Sequence, residues 1–380
     1  MHLDFQFNDI PLGICYALLL VVLLFQLYYI FFIYGKLARY KVVSHKDNTD
    51  LPPVSVIICA SNEQENLTNF LTSILEQDYP QFETIVVNDN STDDTQWILQ
   101  QFKSQYPNLH IVEIKEHLRI KNLKKFALTL GIKAAKNNLL VMTDADCQPN
   151  SEFWLREMAG AYTQDTEITL GYSPYFKEKG FLNKVIRFET THTAMSYLSY
   201  VLQKDPYMGV GRNLSYYKTL FFKGKGFNAH MHIKSGDDDL FVNQNSTKSN
   251  VNIAIHPDAH VYSVPKTTWK SYYKQKGRHA GASVLYKKRH KWMLATQLIT
   301  SILFYLLLTI NLILFTQYWF IAVTIYFIRY ISQLLVFNSI FNKLAVKDLL
   351  IWLPILDVFF YFYICINGLF NRKRKVKSWK

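Results

Sequence analysis

With 380 residues, 49% of them hydrophobic and 16% aromatic, the chain is too apolar for a single ordinary soluble domain, and part of it belongs in a membrane. Its net charge of +13 does not mark a nucleic-acid binder: residues 266–291 hold nine Lys or Arg and no acid, residues 371–380 hold six more, and the rest balances 27 basic against 29 acidic residues. Cys15, Cys59, Cys147 and Cys365 show no CxxC spacing and support neither a disulfide framework nor a zinc site.

The first element is an apolar stretch over Ile10–Tyr34, close to the ~20 residues a helix needs to cross the hydrocarbon. No basic residue precedes it and no small-residue cleavage site follows it before Lys36, so it reads as a retained anchor and not as a signal peptide. Lys36, Arg39, Lys41 and Lys46 follow it while Asp4 and Asp9 precede it, which places the next segment in the cytosol by the positive-inside rule. The expected layout is an anchor and basic juxtamembrane segment over 1–45 and a globular domain over 46–265.

Within that domain VSVIICA (54–60), ETIVVND (83–89), HIVEI (110–114) and NNLLVMTD (137–144) are near-continuous aliphatic runs, as parallel strands covered on both faces require. Helical patterns fill the gaps. Asn62 with Glu65 is expected to form a capping box, and Ser91 or Thr92 to cap a second helix. The alternation predicts an α/β fold with a doubly wound, mostly parallel, Rossmann-like sheet.

Ligands of such sheets sit beyond the carboxyl ends of the strands. Ser61-Asn62-Glu63, Asn88-Asp89-Asn90 and Asp144-Ala145-Asp146 all fall there. Clustered carboxylates repel one another unless a cation lies between them, and oxygen ligands favour Mg²⁺ or Mn²⁺ over zinc. Asp144 and Asp146 are therefore candidate metal ligands, with a phosphate or diphosphate as the natural partner of the ion. Neither GxxxxGK[ST] nor GxGxxG occurs, which argues against an ATPase or a nicotinamide enzyme.

Further along, Asn183–Leu202 reads as an aromatic, amphipathic helix suited to the bilayer surface or to an acceptor groove. GVGRNLSYYK (209–218) carries two glycines fit for close backbone approach or a turn. His230 and His232 read as a surface loop, and Asp237, Asp238 and Asp239 follow in SGDDDLFVNQ. Residues 266–292, with Trp269, Tyr272, Tyr273 and many basic residues, suit a helix at the lipid interface. Three more apolar stretches, Leu294–Phe315, Trp319–Asn338 and Leu349–Phe370, fill a membrane region over 293–370, ahead of a basic tail over 371–380. Three spans after a cytosolic domain would put that tail outside. Either one of these stretches is re-entrant or interfacial, leaving two to three spans, or the tail breaks the rule. Arg329 makes the middle stretch the least convincing span, and a cytosolic tail is the expectation.

Taken in order, PPVSVIICASNEQENL, IVVNDNSTDDT, TDADC, SGDDDLF and QKGRH resemble the membrane-bound branch of glycosyltransferase family 2, from about Val54 to His279 and on into the flanking spans. The resemblance implies a GT-A fold. It also implies transfer of a sugar from a nucleotide-diphosphate donor to an acceptor hydroxyl with inversion. It places Glu63 and Asp89 on the nucleoside, Lys124 near the diphosphate, Asp144 on the donor ribose or sugar, and Asp146 on the metal. Aligned on Asp239-Leu240, the general base falls at Asp237, with Asp238 as the alternative register because Gly236 stands where the family has an acid. Gln275 and Arg278 match the QxxRW signature and would meet donor phosphates, whereas His279 replaces its Trp. The partners expected are a nucleotide-sugar donor, a lipid or saccharide acceptor and membrane lipids, with no nucleic acid, at a bacterial-type inner (plasma) membrane. Two other readings are a polysaccharide synthase that exports its polymer and a non-catalytic scaffold that binds nucleotide sugars.

Overall fold

A computed structural model describes residues 10–115, 123–233, 235–279 and 281–371, except for the side chains of residues 10, 11, 123, 278, 279 and 367–371. These residues form two compact units. Lys41–Lys287 with Lys343–Ala345 makes one; residues 10–40, Lys288–Asn342 and residues 346–371 make the other.

The first unit holds nine described strands: β1 (Val54–Ala60), β2 (Phe82–Asp89), β3 (Leu109–Ile114), β4 (Leu139–Asp144), β5 (Cys147–Pro149), β6 (Ile168–Gly171), β7 (Leu214–Tyr217), β8 (Val251–Ala254) and β9 (Val261–Ser263). Seven of them form one sheet in the order β3-β2-β1-β4-β7-β6-β8, and β5 pairs with β9. β1, β2, β3 and β4 are mutually parallel, β6 and β8 are parallel, and β7 runs antiparallel between β4 and β6. All seven residues of β1 are buried, as for a strand with helices on both faces. Each Val or Ile so buried stabilises the fold by roughly 1.5–3 kcal/mol.

Helix Gln64–Leu75 buries Leu67, Leu71, Ile74 and Leu75, one face at helical spacing. Helix Leu123–Ala134 lies so close to the sheet that a Cβ on Gly131 would stand 2.8 Å from Ile57 Cγ2 and 2.9 Å from Val87 Cγ2. Registers pair Ala60 with Asn88 and Cys59 with Asp144, so β1, β2 and β4 end level and release their polar loops at one edge.

Three local expectations are corrected. Asn62 does not cap helix Gln64–Leu75: its φ is 53°, and its Oδ1 accepts from Thr92 N at 2.7 Å while its own N–H donates to Ser91 Oγ at 2.9 Å. Ser91 and Thr92 likewise do not cap helix Thr95–Gln105; Asp93 Oδ1 accepts from Thr95 N at 3.1 Å, and Asp93 Oδ2 also takes Gln64 N at 3.3 Å. Cap-type residues here tie two neighbouring loops together. Helix Phe181–Leu202 is not a surface helix either, since Phe188, Tyr197 and Leu198 are all enclosed and Tyr197 donates to Gly171 O at 2.7 Å. Its aromatic residues fill a core.

The second unit contains four helices of 20 to 28 residues, at Leu12–Arg39, Lys288–Leu314, Thr316–Lys343 and Lys347–Ile366, each long and apolar enough to cross a membrane. The first has a π-helical turn at Tyr29–Tyr34. Arg329 does not weaken its helix as expected: it is buried and paired with Asp357 at 2.9 Å, a partner that the fourth stretch supplies. By length and composition all four helices, one before the globular domain and three after it, can span. The basic tail lies outside the described residues.

Candidate active site

Asp89 and Asp144 close β2 and β4, and Glu63 and Asp146 follow just after the ends of β1 and β4. Lys124, in the first turn of helix Leu123–Ala134, reaches into this edge and makes two ion pairs, 3.1 Å to Asp144 Oδ1 and 3.2 Å to Asp237 Oδ2. An acid at the end of β4 and one almost a hundred residues later thus share a single ammonium. Burial pushes the Asp237 carboxyl up, but Lys124 and the backbone hydrogen bond outweigh this and hold it below the usual carboxylate range. The same acids keep Lys124 firmly charged against its own burial.

Asp238 differs from its neighbour. Its Oδ2 accepts from Gly211 N at 2.7 Å and its Oδ1 from Asp239 N at 2.7 Å, so it caps helix Asp239–Asn245. Burial, with Asp237 and Asp239 alongside, pushes its carboxyl up to about 7. Asp239 accepts from Tyr286 Oη at 2.7 Å, and burial raises it to about 6.

Asp146 is half-buried. Burial and the fields of Asp144 and Glu63 push its carboxyl up, opposed by Arg212 and Lys266. Glu63 Oε2 accepts from Asn66 Nδ2 at 2.6 Å. Asp89 is buried at the end of β2, and its field, with those of Asp144 and Asp237, bears on the Cys59 thiol between them. Gln275, in helix Trp269–His279, donates to Tyr175 Oη at 3.3 Å. Arg278 is in the same helix, with its side chain outside what is described.

Several residues here were not singled out by the sequence. The Arg212 guanidinium lies over the Tyr175 ring at 4.4 Å and donates to Ser173 O at 3.2 Å, with Nη1 buried and without a hydrogen-bond partner. It lies inside GVGRNLSYYK, where the two glycines drew the attention. Asn213, next in line, is saturated: it donates to Tyr172 O and Ala259 O at 2.9 and 2.7 Å and accepts from Trp154 Nε1 at 3.1 Å. Tyr175 carried no signal at all.

His230 is corrected. It is fully buried, against the expected surface loop, edge-on to Phe227, and burial lowers its imidazole to about 4. His232 is exposed as expected. The carboxylates of Asp144 and Asp146 are of the oxygen type a hard divalent cation takes, and the fields of Asp144 and Glu63 bear on Asp146. Among the described residues, however, the one trio whose ligand atoms all lie within 4.8 Å of one another is Glu157, His256 and Asp258. Glu157 there accepts from Ser44 Oγ at 2.6 Å and from His45 N at 3.0 Å, which fastens the segment after the first long helix to helix Trp154–Gly160.

Residues 55–225 match the family model described as Glycosyl transferase family 2. Glycosyltransferase AglE of Haloferax volcanii is 36% identical over 107 residues, 28% of this chain and 34% of that protein. Poly-beta-1,6-N-acetyl-D-glucosamine synthase of Staphylococcus epidermidis is 30% identical over 118 residues, 31% and 27% of the two chains. The chain thus spans about a third of the length of these relatives. Among solved structures, mannosyltransferase PcManGT from Pyrobaculum calidifontis, in complex with GDP-Man and Mn2+, superposes with a TM-score of 0.56 at 17% identity, covering 91% of this chain and 98% of that one. That likeness concerns the fold. Motifs, sheet order and family match agree: residues 55–225 carry a glycosyltransferase family 2 domain, and the fold is of GT-A type.

Proposed function

We propose that this protein is a membrane-anchored, inverting glycosyltransferase that moves a sugar from a nucleotide-diphosphate donor to a lipid-linked or membrane-proximal acceptor. The observation that carries this reading is the single ammonium of Lys124 held between Asp144 and Asp237, which brings the donor-side acid and the candidate base into one crevice. In this reading Asp237 accepts the proton of the acceptor hydroxyl as its oxygen attacks the anomeric carbon. The bond from that carbon to the diphosphate breaks, and the nucleoside diphosphate leaves with the electron pair. Asp238 is the weaker candidate for the base, because both its oxygens already accept backbone N–H groups.

Asp146 with Asp144 would hold Mg²⁺ or Mn²⁺, which supplies charge to a leaving diphosphate. Glu63 and Asp89 would meet the nucleoside, and Gln275 and Arg278 the donor phosphates; the planar fork of Arg suits two phosphate oxygens at once. The solved relative PcManGT was crystallised with a donor and an ion of these kinds. The four long apolar helices and the acid-free basic stretch 266–291 support a multi-pass protein whose catalytic unit lies on anionic lipid at the cytosolic face of the inner membrane.

The test is incubation of membranes with a panel of labelled nucleotide sugars, comparing wild type with Asp237→Asn. A lipid-extractable or envelope product that needs divalent cation and is lost in the variant supports the reading. Donor binding without hydrolysis or transfer to any acceptor would replace it with a scaffold, and a long polymer would replace single transfer with polysaccharide synthesis.

A further inference from the structure

Lys125 is the neighbour of Lys124 on the same helical turn, yet it points elsewhere. It is 1% exposed, and its Nζ donates to two backbone carbonyls, His230 O at 2.7 Å and Ile233 O at 3.0 Å. An ammonium taken out of water for two carbonyl partners is an expensive way to hold a loop, and a hydrophobic side chain would fill the same space at less cost. The loop it holds leads directly to Asp237, four residues after Ile233. Lys124 then grips the Asp237 carboxylate itself at 3.2 Å. Two consecutive lysines of one short turn therefore fix the approach to the candidate base and its side chain. Their helix is in turn seated on β1 and β2 through Gly131, where there is no room for a Cβ. The base is thereby tied to the same strands that carry Glu63 and Asp89.

We propose that Lys125 is a positioning residue for transfer, acting with Lys124 to hold the loop that presents Asp237 to the acceptor. This inference rests on the proposed transferase reading and adds a residue whose ammonium is engaged by backbone carbonyls. A 1 Å drift of a catalytic group costs on the order of 10²-fold in rate, so the clamp is expected to appear in kcat and not in donor affinity.

The experiment uses full-length protein in detergent, with Lys125→Met, Lys125→Arg, Asp237→Asn and the double variant Lys125→Met/Asp237→Asn. The readouts are steady-state transfer, equilibrium binding of the donor found active with wild type, and thermal melting. The expected result is a kcat lowered about 10- to 100-fold in Lys125→Met, a donor Kd within about 3-fold of wild type, and partial recovery in Lys125→Arg, which still donates. In the Asp237→Asn background the same change should cost less than about 3-fold, because there is no base left to position. Full multiplication of the two losses, or a donor Kd raised as much as kcat falls, overturns the proposal. Should Lys125→Met melt too low to assay, Lys125→Arg decides alone: a kcat equal to wild type at unchanged melting temperature, or a loss confined to donor Kd, overturns it, and a reduced kcat at unchanged Kd upholds it. Wild type that transfers from no donor would instead sink the transferase reading.

Discussion

Three consecutive carboxylates, Asp237, Asp238 and Asp239, sit in three different fields. Asp237 faces a lysine and stays ionised, Asp238 caps a helix, and Asp239 meets a tyrosine hydroxyl. Removing the charge of Asp237 is expected to lower transfer by about 10²-fold or more, the usual share of a general base, with donor binding kept. Rates from Asp237→Asn and Asp238→Asn, measured side by side, check this; equal losses would leave the base unassigned. The raised pair also makes a pH prediction. A carboxyl whose folded value lies above its ordinary 3.8, as for Asp238 at about 7 and Asp239 at about 6, binds more protons folded than unfolded. Stability is then complete below about 4 and declines as pH rises toward 7. The purified protein without divalent cation should melt lower at pH 8 than at pH 5. Asp238→Asn should narrow that gap, and an unchanged gap would show that Asp238 is not its source.

At the scale of elements, the turn Gly211–Asn213 does most to hold the site together. Gly211 donates to Asp238, Arg212 lies on Tyr175 within the field of Asp146, and Asn213 pins the turn with three buried hydrogen bonds. A Cβ on Gly171 would come within 2.3 Å of the Asn213 amide, so Gly171→Ala is expected to cost about 1–3 kcal/mol by overpacking and to show as a lowered melting temperature. An unaltered melting curve would mean that Asn213 yields freely. The sequence made β1 to β4 legible because strands buried on both faces must be continuous aliphatic runs. It did not reveal β5 and β9, which are three residues each, or the antiparallel β7, whose LSYY carries no run of its own. Asn62, Ser91 and Thr92 were misread because the same side chains cap a helix or stitch two loops, and only tertiary contact decides. Asn183–Leu202 failed for a related reason: an aromatic helix suits a bilayer surface and a protein core equally well. The acids at the strand ends were legible as a group, since the chemistry of repelling carboxylates is visible in composition. Lys125, one residue from a matched motif, was hidden because nothing in the sequence states which way a helical lysine points.

Across the whole molecule, the unit of long helices is held by a polar network that a hydropathy plot counts as a defect. Arg329 gives Nε to Gln26 Oε1 at 3.2 Å and Nη1 to Tyr305 Oη, Gln333 Oε1 and Asp357 Oδ2 at 3.0, 3.1 and 2.9 Å. Tyr305 also donates to Asp357, and Gln26 Nε2 donates to Thr300 and Ser301 at 2.9 and 3.2 Å. Every one of the four helices supplies a partner, and the guanidinium lies 5.0 Å from the Phe304 ring. In hydrocarbon an unpaired charge has no solvent to fall back on, so such a pair is tolerated only when fully met. Arg329→Met strands the Asp357 carboxylate, and breaking a buried pair on one side costs about 3–5 kcal/mol. The same reasoning makes the double variant Arg329→Met/Asp357→Leu the milder one, since it removes both charges and leaves apolar volume in their place. Thermal melting of the detergent-solubilised protein, followed with the yield of monodisperse material, should rank wild type and the double variant above either single variant. If Arg329→Met melts with wild type, the network is dispensable and the four helices are held by apolar packing alone; if the double variant is the worst of the set, the pair contributes more than its own neutralisation and specifies how these helices meet.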